Sequence, residues 1–275
     1  MYILSRFRNE ANARTEQGLP VLLDKVYAER GWDFRGYKKM TLLRRVSKRL
    51  HASGCSSISE YLRLLENDPA EYSRLFSSIT IKVSEFFREP EIFAAIAEIL
   101  RGEFCGTPVR AWSCASACGE EAYSVAMLFS ECLGMDALGK AKVFATDIDP
   151  EALEQARRAT YRAESMLNVS PDMKELYFIP KDGSHKVKYA VRNLVKFGTL
   201  DIVQSTPLSG MQLVLCRNLF IYFGKPLQEK VFQKLDYALK PGGLLALGKA
   251  EVLPQSYLSG YTQVAKGLNL FRKKG

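Results

Sequence analysis

From Arg110 onward the chain alternates short apolar runs with helical patterns, and that alternation limits the fold more than any other feature. Strand candidates at 109–115, 141–147, 190–197, 211–216 and 243–248 are separated by helical stretches near 119–133, 150–158 and 226–239. Such a rhythm predicts an α/β fold built on a parallel, doubly wound, Rossmann-like sheet. Lys240-Pro241-Gly242-Gly243 reads as a helix stop and tight turn into the next strand. The stretch from Tyr261 to Arg272 alternates and turns at Lys266-Gly267, which predicts a closing antiparallel hairpin. Between Leu176 and Phe197, Lys181-Asp182-Gly183-Ser184 punctuates a short two-stranded excursion, so a small β-subdomain is expected at about 178–197.

The N-terminal part has a different rhythm. Residues 1–18 read as an arm, and 19–78 as a bundle of about three or four helices. Met40, Leu43, Val46 and Leu50 recur at helical spacing and are expected to form the buried face of one of them. Ile58 to Leu65 is another short helix, started by Ser57 or Ser59 and stopped before Asn67-Asp68-Pro69. The domain from 79 to 275 then holds the sheet.

Composition removes several function classes. A hydrophobic fraction of 47% supports a full core. No apolar run approaches the ~18 residues of a membrane span, and Met1 to Arg8 lacks the apolar segment of a secretory leader. The six cysteines form no Cys-x-x-Cys pair and the histidines are only His51 and His185, so no metal site and reduced, cytoplasmic thiols are expected. The net charge of +9 calls for an acidic partner. Between Arg35 and Arg49 the chain carries Arg35, Lys38, Lys39, Arg44, Arg45, Lys48 and Arg49 without one acid. Arg45 and Arg49 fall one helical turn apart, as do Arg44 and Lys48, and are expected to form a basic face opposite the apolar one.

Chemistry is expected where strands end. In open α/β sheets ligands lie outside the carboxyl ends of the strands, and three strand candidates end in polar junctions. The first runs from Trp112 through Cys118 to Gly119-Glu120-Glu121 and opens a helix. Acids in its first turn suit a cationic ligand rather than a phosphate, or they answer the helix dipole. The second ends in Asp147-Ile148-Asp149-Pro150, where Asp147 is placed to accept from ribose hydroxyls and Asp149 to cap the next helix. The third is Cys216-Arg217-Asn218, followed by Tyr222-Phe223. No Gly-x-Gly-x-x-Gly is present, which counts against NAD. Ser84 and Arg88, in Thr80 to Pro90, stand at the boundary between the two modules.

Thr80-Ile-Lys-Val-Ser-Glu-Phe-Phe-Arg88, Trp112-Ser…Gly119-Glu-Glu, Ala145-Thr-Asp147-Ile-Asp149 and Cys216-Arg-Asn-Leu-Phe-Ile-Tyr222-Phe223 come in order and at family spacing. From about Leu19 to the C-terminus the chain resembles the CheR-type chemotaxis receptor methyltransferases. The resemblance implies a fold of S-adenosylmethionine (SAM) dependent methyltransferases, with an N-terminal all-α domain and a small β-subdomain. It implies methyl transfer from SAM to glutamate side chains of chemoreceptors, leaving S-adenosylhomocysteine. Cofactor-binding residues carry over to Ser84, Arg88, Glu121, Asp147, Asp201, Ile202, Arg217 and Asn218. Those nearest the transferred methyl become Arg88 and Tyr222. The receptor-reading surface becomes Lys38, Lys39, Arg44, Arg45, Lys48 and Arg49.

The same resemblance implies a cytoplasmic monomer recruited to membrane-bound receptor arrays, whose partners are acidic receptor helices, with no nucleic acid and no membrane insertion. Some positions depart from the family pattern: Ala117-Cys118 replaces Ser-Thr, Lys82 stands where Asn is common, and Lys249-Ala250 alters Gly-x-Ser-Glu. These departures keep open an alternative, a weak or inactive SAM-binding relative acting as a scaffold. A nucleic acid methyltransferase would instead show Asp/Asn-Pro-Pro-Tyr/Phe where this chain has Arg217-Asn218-Leu219-Phe220.

Overall fold

The structure, a computed structural model, describes residues 2–80 and 84–275, the first of them, up to residue 14, by backbone alone. Lys82 lies outside the described residues. The chain divides into two compact units, Met1–Lys82 with Tyr222–Leu227, and Val83–Ile221 with Gln228–Gly275. The six residues 222–227 thus group with the helices, although sequence order places them inside the sheet domain.

In the first unit, α1 (Tyr2–Arg30), α2 (Lys39–Ala52), α3 (Ile58–Asn67) and α4 (Ala70–Ile79) follow one another. The stretch expected to be an arm is therefore part of one long helix. Ser57 caps α3 by accepting from the Glu60 N–H, while the Glu60 carboxylate turns back to the Ser56 N–H and hydroxyl, a variant of the capping box. Leu22, Val26, Val46, Tyr61, Leu65 and Leu75 form the core, each buried side chain contributing about 1.5–3 kcal/mol.

The buried face of α2 is rotated from the expected one. Leu42, Arg45, Val46 and Leu50 point inward, whereas Met40 is 76% exposed. Leu42, Val46 and Leu50 keep the i, i+4, i+8 spacing of a helix with 3.6 residues per turn. The expected series beginning at Met40 and Leu43 ran at threes and drifted off the face.

In the second unit, α5 (Pro90–Glu103) precedes β1 (Arg110–Cys114), α6 (Glu120–Cys132), the single turn α7 (Met135–Leu138), β2 (Lys142–Asp147) and α8 (Pro150–Arg158). After these come β3 (Thr160–Tyr161), α9 (Pro171–Tyr177), β4 (Phe178–Lys181), β5 (Ser184–Val187), α10 (Tyr189–Arg192), β6 (Val195–Thr199) and β7 (Met211–Cys216). The chain closes with α11 (Lys225–Ala238), β8 (Leu239–Leu247), β9 (Tyr261–Gln263) and β10 (Leu270–Lys273).

The main sheet has the order β6-β2-β1-β7-β8-β10-β9. Its first five strands pair in parallel, and β10 pairs antiparallel with both β8 and β9, so the hairpin wedges its second strand beside β8. Gly267, with φ of 83°, supplies the expected turn. Central strands read as near-continuous apolar runs because helices cover both faces. Trp112, fully buried on β1, satisfies its indole N–H at Thr146 Oγ1, 2.9 Å away.

Two expectations are corrected. Lys240 to Gly243 turns, with Gly242 at φ of 76°, but inside β8 and not before it. Pairing with β7 continues on both sides of it, Met211 with Leu239 and Leu213 with Leu244, so the turn is an irregularity within the pairing of β7 and β8. The β-subdomain is a three-stranded sheet, β3-β5-β4. It recruits Thr160–Tyr161, too short to show a strand pattern, and it ends at Val187, because Val195–Thr199 joins the main sheet beside β2.

Candidate functional site

Strand order reverses between β1 and β7, and a crevice outside their carboxyl ends is the place where open α/β sheets bind ligands. The loop leaving β1 is held in an uncommon conformation. Ala115, Ala117 and Gly119 have φ of 58°, 45° and 91°. A left-handed alanine costs roughly 1–3 kcal/mol, so the surroundings must enforce it. Ser116 N–H donates to the Thr146 carbonyl at 2.9 Å, and Ala117 N–H to Asp147 Oδ2 at 2.8 Å. The other Asp147 oxygen accepts from Asp149 N–H at 2.9 Å. Burial raises the Asp147 carboxyl above its ordinary value, against these N–H donors. Gly119 has a second reason to lack a side chain, since a Cβ would lie 2.9 Å from Ala156 Cβ and 3.0 Å from Phe197 Cζ. The loop at Ala117 is fastened through its backbone, so losing a hydroxyl there removes none of these bonds.

At the end of β7 stands Arg217, with a side chain only 2% exposed. Its Nη1 meets Glu121 Oε2 at 3.3 Å, and its Nη2 meets Glu89 Oε2 at 3.0 Å and the Arg88 carbonyl at 2.6 Å. Phe93 offers its ring 5.4 Å from the guanidinium. Ser113 donates to Glu121 Oε1 at 2.7 Å. One cation thus gathers residues from the α5 approach, β1, α6 and β7. Phe87 and Glu89, with φ of 51° and 58°, bracket Arg88, and the Phe87 N–H is satisfied by Ser124 Oγ at 3.0 Å.

Two groups at this crevice escape a sequence reading. Glu251, 3% exposed, accepts from Asn218 N–H at 2.9 Å, Gly248 N–H at 2.7 Å and Ile221 N–H at 3.3 Å. It fixes Asn218 in a left-handed conformation with φ of 60°. A Cβ on Gly248 would sit 2.8 Å from both Glu251 Oε2 and Asn218 Nδ2. Gly248-x-x-Glu251 after a strand was the visible signal, though it names no partner. Glu120, beside Glu121, is buried, and burial pushes its carboxyl up to about 7 while the Ser84 hydroxyl donates to it and works the other way.

Beyond β6, Asp201 accepts from Val203 N–H and Gln204 Nε2, each at 2.8 Å. Ile202 is buried. Lys234 Nζ donates to the carbonyls of Ile202, Val203 and Ser205 at 2.9, 3.0 and 2.7 Å. That lysine, its own value lowered by burial, sets the loop bearing Asp201 and Ile202.

Ser84, Arg88, Glu121, Asp147, Arg217 and Asn218 are therefore held by networks around the ends of β1, β2 and β7, with Asp201 and Ile202 on the loop after β6. Ser116 Oγ, Glu120 Oε2 and Arg217 Nε are buried without a hydrogen-bond partner among the described residues. Acids outnumber bases here, which suits a ligand carrying an ammonium and a sulfonium, and the spare acceptors and donors suit its polar groups. These residues fit SAM.

In the helical unit, Lys38, Lys39, Arg44 and Lys48 are exposed, with Lys39 paired to Glu16 at 2.5 Å. Arg45 and Arg49 are not part of that open face. Arg49 forms a two-pronged pair with Glu71 at 2.6 and 2.7 Å, and Arg45 is buried. Tyr222 also lies in this unit.

Residues 82–266 match the family described as CheR methyltransferase, SAM binding domain, and residues 17–80 match its all-alpha domain. A chemotaxis protein methyltransferase of Escherichia coli is 35% identical over 237 residues, covering 82% of this chain and 81% of that one. The chain belongs to the CheR methyltransferase family. A chemotaxis protein methyltransferase of Klebsiella aerogenes is 33% identical over 277 residues, 94% of each chain. As a CheR methyltransferase the protein uses SAM, and its two parts are the family's all-α domain and SAM-binding domain. Among the described residues no helix is long and apolar enough to cross a membrane.

Proposed function

We propose that this methyltransferase esterifies glutamate side chains on the acidic helices of chemoreceptors during sensory adaptation. The observation that carries the reading is the Arg217 assembly, in which one buried cation fixes Glu121, Glu89 and the Arg88 backbone at the end of the strand that leads directly into Tyr222.

A glutamate side chain with an ordinary value near ~4.3 is anionic at neutral pH, so no general base is required. Bound SAM supplies an electrophilic methyl group, which ends on the carboxylate oxygen. What remains for the protein is alignment, an effect that can contribute ~7–11 kcal/mol to a bimolecular step. Glu121, Asp147, Asp201, Ile202, Asn218 and Ser84 hold the cofactor, and Arg88 and Tyr222 orient the acceptor carboxylate. Lys38, Lys39, Arg44 and Lys48 draw in the acidic receptor helix and bring the enzyme to receptor arrays. Their exposure on and before α2 supports that role.

The test is a labelled-methyl assay on receptor fragments. Base-labile label on glutamate-bearing fragments is expected, falling about a hundredfold in Arg88→Ala and about tenfold in Tyr222→Phe. Label that resists mild base, or full turnover in both variants, overturns the reading.

A further inference from the structure

Arg45 sits on α2 between the exposed cations Arg44 and Lys48, yet it is 7% exposed. A buried guanidinium normally answers a carboxylate, because burying an unpaired charge is costly. No ion pair with an acid involves Arg45 among the described residues. Its guanidinium carbon lies 4.6 Å over the Tyr222 ring, its Nη1 donates to the Ile79 carbonyl, and its Nη2 is buried with no partner among the described residues. The Arg45 carbonyl accepts from Ser78 Oγ at 3.2 Å, so the position is fixed against α4 at both ends.

The backbone around Tyr222 is fixed from the same unit. Lys38 N–H donates to the Tyr222 carbonyl at 2.8 Å, and Gly224 N–H to the Gly36 carbonyl at 2.9 Å. Tyr37 and Phe223 stack with ring centroids 5.0 Å apart. These contacts fix the backbone of residues 222–224 and do not involve the Tyr222 ring. Arg45 acts on the ring itself. A guanidinium plane stacks on an aromatic face better than an ammonium does, and burial strengthens a contact of this kind.

We infer that Arg45 is a positioning residue for Tyr222, and that its contribution to turnover comes through that ring rather than through contact with the receptor. The inference rests on the acceptor-orienting role given to Tyr222 above.

Kinetics of the full chain with a receptor fragment test it, using Arg45→Ala, Arg45→Lys, Tyr222→Ala and the double variant. Arg45→Ala is expected to lower kcat about tenfold with receptor KM within about twofold. Arg45→Lys restores part of that loss. In the Tyr222→Ala background, Arg45→Ala costs nothing further, the signature of two residues acting as one unit. A raised receptor KM at unchanged kcat, or a full additive loss beside an impaired Tyr222→Ala, overturns the inference alone. Unimpaired turnover in Tyr222→Ala removes the role of the ring and the inference with it. If Arg45→Ala does not fold, 3-fluorotyrosine at position 222 serves with Arg45→Lys. Its fluorine resonance is expected to shift, and an unshifted resonance overturns the inference.

Discussion

Glu71 in the helical unit and Glu120 in the sheet unit are the same residue type, both buried, and the protein treats them in opposite ways. Glu71, 1% exposed, accepts from Arg49, from Tyr61 at 2.6 Å and from Arg74 at 3.1 Å. Burial alone would raise its carboxyl, but these donors hold it below the ordinary value. Glu120 has only its own backbone N–H and the Ser84 hydroxyl against the same burial and is pushed up to about 7. A carboxylate answered on every side locks one arrangement of three helices. One left nearly unanswered stores cost at a ligand crevice, which is where perturbed groups gather.

The largest test of that contrast is Glu71→Ala. It strands Arg49 and Tyr61 and is expected to cost about 3–5 kcal/mol of unfolding free energy. Because the folded value of Glu71 is depressed, its stabilisation is complete above the unfolded value and disappears as pH falls through the folded one. Denaturant unfolding at neutral pH and on the acid side measures both. A loss under about 1 kcal/mol, in the range of an exposed pair, would show that the network holds nothing together.

Glu251→Ala comes next and belongs to the sheet unit. It orphans the N–H groups of Asn218, Gly248 and Ile221, and one orphaned buried donor costs about 1–3 kcal/mol. SAM affinity, read by calorimetric titration, is expected to weaken about tenfold, or about 1.4 kcal/mol. Unchanged affinity with lowered stability would make the latch a matter of folding only.

How much of this was readable depended on how local the cause was. Met211–Cys216 and Pro150–Arg158 show their bounds in the chain because an apolar run ends in Arg217 and because Asp149-Pro150 caps a helix. Strand ends announce Glu121, Asp147, Arg217 and Asn218, since a polar residue at that point has few packing reasons. The face of α2 was not readable. Arg45 turns inward for a carbonyl at Ile79 and a ring at Tyr222, both far away in sequence. Thr160–Tyr161 is too short to carry a period, and the turn at Lys240–Gly243 does not show that strand pairing already begins at Leu239 before it. Glu120 and Glu121 look alike in sequence. Only the fold gives Arg217 to one and leaves the other a hydroxyl and its own backbone N–H.

The smallest expected effect is also the most direct test of that last difference. With its carboxyl near 7 when folded, Glu120 keeps a proton in the native state over a pH range where the unfolded chain has released it. The native state then binds more protons, and stability attributable to this group falls as pH rises from about 4.5 to 7. Glu120→Gln keeps the shape and removes the titration. The variant should therefore gain on wild type progressively across that window, as read from denaturant midpoints at several pH values. A difference that stays flat from pH 5 to pH 8 would mean Glu120 is as well answered as Glu71. The opposition between the two carboxylates would then be lost, together with the argument that the crevice concentrates unpaid charge.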